Sequence, residues 1–127
     1  MALPFATGAK ILVIDDDENI RELLIAYLER EGYTVLCASD GTAGIDLALD
    51  KNPAAILCDA AMPGMTGSEV LQAVRASATC AGVPFVLMTG NPQYCTGNFT
   101  PDALLLKPFH MSEMIALVGR LLAACPR

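Results

Sequence analysis

The stretch ILVIDDDENI, residues 11–20, places four acidic residues directly after four apolar ones. The apolar run has the length and continuity of a strand that is buried on both faces. Two carboxylates about 4 Å apart repel by roughly 1 kcal/mol in water, and by about 4 kcal/mol at an effective dielectric constant of 20. The acidic run from Asp15 to Glu18 therefore predicts an interaction elsewhere in the chain that offsets this repulsion.

The size and composition of the chain predict one globular domain with its own core. The chain has 127 residues, of which 54% are hydrophobic and 17% charged. Its formal net charge of −6, without a Lys/Arg cluster, argues against direct binding to nucleic acid. No apolar run approaches the roughly 18 residues of a membrane span, so we expect no membrane insertion. Five cysteines without a C-x-x-C pair, and no signal peptide pattern, favour a cytoplasmic location.

Short apolar runs alternate with longer segments of helical periodicity along the whole chain. The runs are KILVI (10–14), YTVLCA (33–38), AAILC (54–58), PFVLM (84–88) and ALLL (103–106). The helical segments lie within 18–32, 40–53, 66–77 and 111–124. This alternation predicts an α/β fold with a parallel sheet and helices on both faces. The segment GNPQYCTGNFTPD (90–102) is rich in Gly and Pro and predicts a short or irregular fourth helix.

The polar residues that follow four of the apolar runs are the candidates for a functional site. Asp15 and Asp16 follow the first run, Asp59 the third, Thr89 the fourth and Lys107 the fifth. Because the carboxyl ends of parallel strands meet at one edge of a sheet, these side chains are expected to converge there. Three clustered carboxylates favour a hard divalent cation such as Mg²⁺. That cation is the predicted offset to the repulsion at the start of the chain.

These motifs, taken together, resemble the receiver domain of two-component response regulators. The matching stretches are ILVIDDDENIRELL (11–24), LCDAAMPGMTG (57–67), VLMTG (86–90) and LLLKPF (104–109). The resemblance implies a flavodoxin-like, doubly wound (βα)5 fold whose five-stranded parallel sheet has the order 2-1-3-4-5. It implies a receiver domain over residues 10–125, preceded by an N-terminal extension over residues 1–9.

The resemblance also implies the roles of the acidic residues. Asp59 would accept a phosphoryl group from a histidine kinase or phosphotransfer protein. Asp15 and Asp16, with Asp59 and the backbone carbonyl of Ala61, would hold Mg²⁺, for which Mn²⁺ is an expected substitute. Phosphoryl transfer depends chiefly on alignment and on compensation of the charge on the phosphoryl oxygens, which such a site can provide.

Thr89 and Lys107 complete the set that the resemblance implies. The Thr89 hydroxyl would hydrogen-bond the phosphoryl group, and Lys107 would pair first with Asp59 and then with the phosphate. The Lys107–Pro108 bond would be cis. The domain would catalyse only its own phosphorylation and dephosphorylation, so we do not expect an enzyme that acts on other substrates.

The output of this expected switch differs from the usual pattern at one position. The family usually carries an aromatic residue three positions before the lysine, and here that residue is Leu104. A leucine has no ring that can reorient when Thr89 moves. The downstream effector is not identified by the sequence, and we expect it to bind another face or a rearranging 90–102 segment.

Two other classes of function are compatible with parts of the pattern. A phosphohydrolase with a D-x-D motif would use Asp15 as nucleophile and Asp17 as acid/base, although Asn19 stands where such enzymes prefer Thr or Val. An interaction module with a receiver fold would work without phosphorylation. The joint presence of the acid pair, Asp59 and Lys107 favours the phosphorylation-dependent switch.

Overall fold

A computed structural model describes residues 8–91 and 100–124 of the chain. The strands are β1 (Lys10–Ile14), β2 (Thr34–Ala38), β3 (Ala55–Asp59), β4 (Phe85–Thr89) and β5 (Ala103–Leu106). The helices are α1 (Glu18–Arg30), α2 (Gly41–Lys51), α3 (Gly67–Ala76) and α4 (Met111–Ala124). Among the described residues, no helix has the length and apolar character that crossing a membrane requires.

The strands form one parallel sheet in the order β2-β1-β3-β4-β5, which confirms the predicted fold. The chain reverses its winding direction at β1 and β3, so a crevice opens beyond their carboxyl ends. Residues 92–99, which hold most of the predicted fourth helix, lie outside the described residues. So do residues 1–7 of the predicted N-terminal extension and residue 125.

Two apolar clusters, one on each face of the sheet, make up the core. Leu12 and Ile14 of β1 face α2 and α3, whereas Ile11 and Val13 face α1 and α4. All four side chains are fully buried. Burial of a Val, Leu or Ile side chain contributes about 1.5–3 kcal/mol, so β1 is held from both faces. Burial on both faces therefore keeps β1 in the sheet although charged residues follow it.

Side-chain caps fix where three helices begin. Asp17 accepts hydrogen bonds from the amides of Asn19 (2.9 Å) and Ile20 (3.3 Å) at the start of α1. The Asp40 side chain accepts from an amide of α2 at 2.8 Å. Thr66 caps α3 and forms a reciprocal capping box with Glu69. Each cap typically contributes about 1 kcal/mol, and together they set the lengths of the loops at the crevice.

The amino terminus of α3 packs directly against the end of β3. The Gly67 amide donates to the Ala60 carbonyl at 2.9 Å. A Cβ atom on Gly67 would lie 2.5 Å from the carbonyl oxygen of Asp59, closer than a Cβ can approach. Glycine is therefore required at this position for α3 to hold the loop that follows Asp59.

Candidate functional site

The side chains at the carboxyl edge of the sheet come together in one crevice. Asp15 directly follows β1, and Lys107 directly follows β5. Both β3 and β4 begin and end one residue later than the apolar runs, so Asp59 and Thr89 are the last residues of their strands. The reason is that the ladder continues through them, with Asp59 opposite Met88 and Thr89 opposite Leu106.

Three carboxylates form the acidic half of this crevice. Oxygen atoms of Asp15, Asp16 and Asp59 lie within 4.8 Å of one another. Asp15 is fully buried, Asp59 is 6% exposed and Asp16 is exposed. Like charges this close and this buried repel strongly, so a compensating positive charge is required.

Lys107 supplies one such charge. Its Nζ donates a hydrogen bond to Asp59 Oδ1 at 2.8 Å, and the two side chains are 33% and 9% exposed. Burial alone would lower the pKa of Lys107, but the hydrogen bond and the negative charge of Asp59 outweigh it and raise that pKa. Lys107 therefore remains an ammonium at neutral pH. The Lys107–Pro108 bond is cis, as the resemblance implied.

Asp15 has one oxygen atom that lacks a partner. Its Oδ1 accepts from the Asp17 amide at 2.9 Å. Its Oδ2 is the one buried side-chain oxygen or nitrogen without a hydrogen bond among residues 8–91 and 100–124. Burial, together with the charges of Asp59 and Asp16, raises the pKa of Asp15 against the opposing effect of the Asp17 amide.

The cluster fits a hard divalent cation. An unpartnered buried oxygen among three carboxylates is the donor set that Mg²⁺ or Mn²⁺ takes in proteins, and it is a costly arrangement without a cation. Ala61 lies two residues after Asp59 and is exposed, and the role of its carbonyl as a further ligand stays a prediction.

The Thr89 hydroxyl is bound to its own loop. It donates to the Asn91 carbonyl at 2.9 Å and accepts from the Asn91 amide at 3.0 Å. Thr89 is only 3% exposed. The structure thus brings Thr89 to the crevice, but its hydroxyl would have to leave Asn91 to bind a phosphoryl group. Thr–Gly–Asn is a turn sequence in which such local bonds are common, so the sequence did carry a signal for this contact.

Two further contacts at the site were not predicted from the sequence. Arg21 Nη1 donates to the backbone carbonyl of Asp15 at 2.8 Å. The thiol of Cys58 is fully buried and donates to the Asp59 carbonyl at 3.4 Å, and burial raises the pKa of that thiol. No periodic pattern in the sequence predicts either contact, because both depend on the path of the backbone around the crevice.

Leu104 lies on β5 opposite Leu87 and is 40% exposed. Leu106, on the same face of the strand, is 51% exposed. The prediction that output uses another face, or a rearrangement of the 90–102 segment, stays a prediction, because residues 92–99 lie outside the described part of the chain.

Comparisons with known proteins agree with this architecture. Residues 11–119 match the family model of the response regulator receiver domain. The uncharacterized transcriptional regulatory protein YkoG of Bacillus subtilis (strain 168) is 34% identical over 112 residues. This match covers 85% of the chain and 48% of YkoG, so the chain spans about half the length of that relative.

Two solved structures show the same fold. The chemotaxis response regulator CheY4 of Vibrio cholerae is 30% identical, with a TM-score of 0.82 over 91% of this chain and 99% of that one. The receiver domain of sensor histidine kinase PA1611 from Pseudomonas aeruginosa PAO1 has a TM-score of 0.84 at 24% identity, covering 93% of this chain and 100% of that one. That structure has a magnesium ion coordinated in its active-site cleft. Because the family model spans residues 11–119 and the sheet order agrees with it, the chain belongs to the response regulator receiver domains of two-component signalling systems.

Proposed function

We propose that Asp59 accepts a phosphoryl group from a phosphohistidine and that the modified domain then changes its interactions with partners. Receiver domains pair with histidine kinases or phosphotransfer proteins, and the donor proposed here is one of these. One observation carries the proposal: Asp59 Oδ1 lies 2.8 Å from Lys107 Nζ, and the same carboxyl group belongs to the acidic cluster with Asp15 and Asp16. The cytoplasm is the proposed location.

The Asp59 carboxylate is the attacking group in the proposed transfer. An oxygen of ionised Asp59 attacks the phosphorus atom, and a P–O bond forms as the P–N bond to imidazole breaks. The electron pair of the broken bond stays on the imidazole nitrogen. Because the nucleophile is already an anion, no general base has to remove a proton from it. The product is an acyl phosphate on Asp59.

After phosphorylation, Lys107 and Thr89 would each exchange a present hydrogen bond for one to a phosphoryl oxygen. Lys107 already donates to Asp59, and its ammonium can shift to a phosphoryl oxygen once Asp59 is phosphorylated. Thr89 would exchange its bond with Asn91 for one to another phosphoryl oxygen. That exchange would free the 89–91 turn and is the proposed first step of the conformational change.

The proposed ligands of Mg²⁺, or of Mn²⁺ as a substitute, are the carboxylates of Asp15, Asp16 and Asp59 and the backbone carbonyl of Ala61. Receiver domains bind Mg²⁺ in general, and the acidic cluster here has the required donors. When bound, the ion supplies charge neutralisation for the phosphoryl oxygens. Catalysis is proposed to extend only to the phosphorylation and dephosphorylation of this domain itself.

The D-x-D phosphohydrolase interpretation is disfavoured by the positions of its two acids. Asp15 is fully buried, with Oδ1 bound to the Asp17 amide. The Asp17 carboxylate caps α1 through the amides of Asn19 and Ile20, so it is committed to the helix rather than to a proton transfer. The phosphorylation-independent interaction module stays the alternative.

Beryllofluoride, a phosphoryl analogue, separates the switch from a module that is not phosphorylated. We expect saturable binding that requires Mg²⁺ and changes the amide signals of residues 89–91 in NMR spectra. Asp59→Asn should abolish this binding, whereas Asp46→Asn, on the exposed face of α2, should leave it unchanged. Absence of binding in the unsubstituted chain would leave only the interaction module.

A further inference from the structure

The side chain of Arg21 reaches back from α1 to the turn that carries the acidic pair. Its Nη1 donates to the Asp15 carbonyl at 2.8 Å, while its own amide donates to the Asp17 carbonyl at 3.0 Å within the helix. Arg21 is half-buried. The guanidinium thus binds the backbone of a carboxylate residue rather than the carboxylate itself.

The hydrogen bonds around the turn after β1 involve different groups, and Arg21 binds the carbonyl of the Asp15–Asp16 peptide. The Asp15 amide donates to Ala38 at 3.2 Å, and Asp15 Oδ1 accepts from the Asp17 amide. These bonds fix the strand end and the start of α1. The peptide that joins Asp15 to Asp16 is held at its carbonyl oxygen by Arg21.

The direction of the Asp16 carboxylate depends on that peptide. Within residues 8–91 and 100–124, no hydrogen bond holds the Asp16 side chain, which is exposed. A rotation of the Asp15–Asp16 peptide plane would turn the Asp16 side chain relative to Asp15 and Asp59. A charge-assisted bond from a guanidinium is a strong restraint on such a rotation.

We propose that Arg21 is a positioning residue for divalent cation binding, because its bond to the Asp15 carbonyl fixes the orientation of the Asp16 carboxylate. The inference rests on the proposed function in so far as it takes the acidic cluster to bind a cation. Arg21 itself is not proposed as a ligand or as a catalytic residue. Outer groups that orient metal ligands typically change metal affinity by about 10- to 100-fold.

Simple electrostatics makes the opposite prediction for Arg21. A positive charge beside a cation site disfavours the cation, so loss of that charge alone should tighten cation binding. If positioning dominates, the same substitution weakens cation binding. The sign of the change in affinity therefore separates the two effects.

The test is a titration of the full chain with Mg²⁺, followed by amide signals in NMR spectra. Arg21→Gln should raise the Mg²⁺ dissociation constant by about tenfold, and Arg21→Lys, which keeps a donor and a charge, should recover part of that loss. The matched control is Arg30→Gln, which removes the same charge from the last turn of α1. Arg30 stacks on the Tyr27 ring at 5.1 Å and should leave the dissociation constant unchanged.

A second readout uses the protein in EDTA. Arg21→Gln should shift the amide signals of residues 15–17 without metal, because the turn loses its restraint. Unfolding midpoints in EDTA ensure that both proteins are folded at the temperature of the titration. An Mg²⁺ dissociation constant that is unchanged or lower in Arg21→Gln would overturn the positioning role. Lack of Mg²⁺ binding by the unsubstituted chain would instead overturn the proposed function with it.

Discussion

Lys107 donates a hydrogen bond to Asp59 at 2.8 Å, although Asp59 ends β3 and Lys107 follows β5, two strands that are not neighbours in the sheet. β4 lies between β3 and β5, so the lysine side chain spans the end of β4. Its own amide bonds to the Thr89 carbonyl at 2.9 Å, which fixes where that reach begins. One residue thus connects the proposed acceptor, the hydroxyl-bearing strand end and the last strand.

Lys107→Met should lower the free energy of unfolding by about 1–2 kcal/mol. Loss of one partner from a buried ion pair costs about 3–5 kcal/mol, and we expect less because one third of the lysine side chain is exposed. Urea unfolding in EDTA measures the change. Lys51→Met is the matched control, since Lys51 pairs with an exposed neighbour, Asp50. Equal effects of the two substitutions on the free energy of unfolding would show that the Lys107–Asp59 pair stabilises the fold no more than an exposed ion pair does.

Asp15→Asn should stabilise the metal-free chain by about 1 kcal/mol at pH 7, because it removes a buried negative charge, one of whose oxygens has no partner, together with its repulsion by Asp16 and Asp59. The same substitution should abolish Mg²⁺ binding. Because the pKa of Asp15 is raised by folding, its contribution to stability is present below the ordinary carboxyl pKa and is lost as pH rises through the raised one.

The gain from Asp15→Asn should therefore grow between about pH 4 and pH 7. Urea unfolding in EDTA at both values provides the measurement. A gain that shrinks with rising pH would have the wrong sign for this explanation. Asp46→Asn, on the exposed face of α2, is the control for a change of net charge alone.

Thr89→Ala should separate phosphorylation from the response that follows it. The alanine cannot bond to Asn91 or to a phosphoryl group, whereas Thr89→Ser keeps the hydroxyl. We expect beryllofluoride to bind the alanine variant while the amide shifts of Gly90 and Asn91 shrink by more than half. The serine variant should keep those shifts. Unaltered shifts in Thr89→Ala would remove the hydroxyl exchange from the mechanism.

Gly67→Ala should destabilise the chain by about 2–3 kcal/mol. Its Cβ would lie 2.5 Å from the Asp59 carbonyl oxygen and 2.9 Å from the Cα of Ala60, so backbone has to move. Gly119→Ala in α4 is the control, because nothing lies within 4 Å of its Cβ. That change should stabilise by about 0.5–1 kcal/mol through helix propensity. The thermal unfolding midpoint should thus fall in Gly67→Ala and rise in Gly119→Ala.

The alternation of strands and helices, and the edge of the sheet where the candidate side chains meet, could be predicted from patterns in the sequence, whereas the strand order came from the resemblance to receiver domains. The five apolar runs mark the strands, and the polar residue at each carboxyl end marks the edge where they meet. The apolar runs end one residue before β3 and β4 do, because Asp59 and Thr89 are polar but still pair with the neighbouring strand.

The orientation of individual groups could not be predicted in the same way. The bond from Arg21 to the Asp15 carbonyl depends on the path of a three-residue turn between β1 and α1, which no periodicity encodes. The unpartnered state of Asp15 Oδ2 depends on burial by several elements at once. Such features follow from tertiary packing, so they required the structure.

The most direct test of the central claim is mass spectrometry of the intact chain after incubation with a small-molecule phosphodonor and Mg²⁺. One phosphoryl group should be added, its addition should be lost in EDTA, and it should map to Asp59. Asp59→Asn should take up none, whereas Asp46→Asn should match the unsubstituted chain. Uptake that persists in Asp59→Asn, or no uptake by the unsubstituted chain with Mg²⁺ present, would contradict the account.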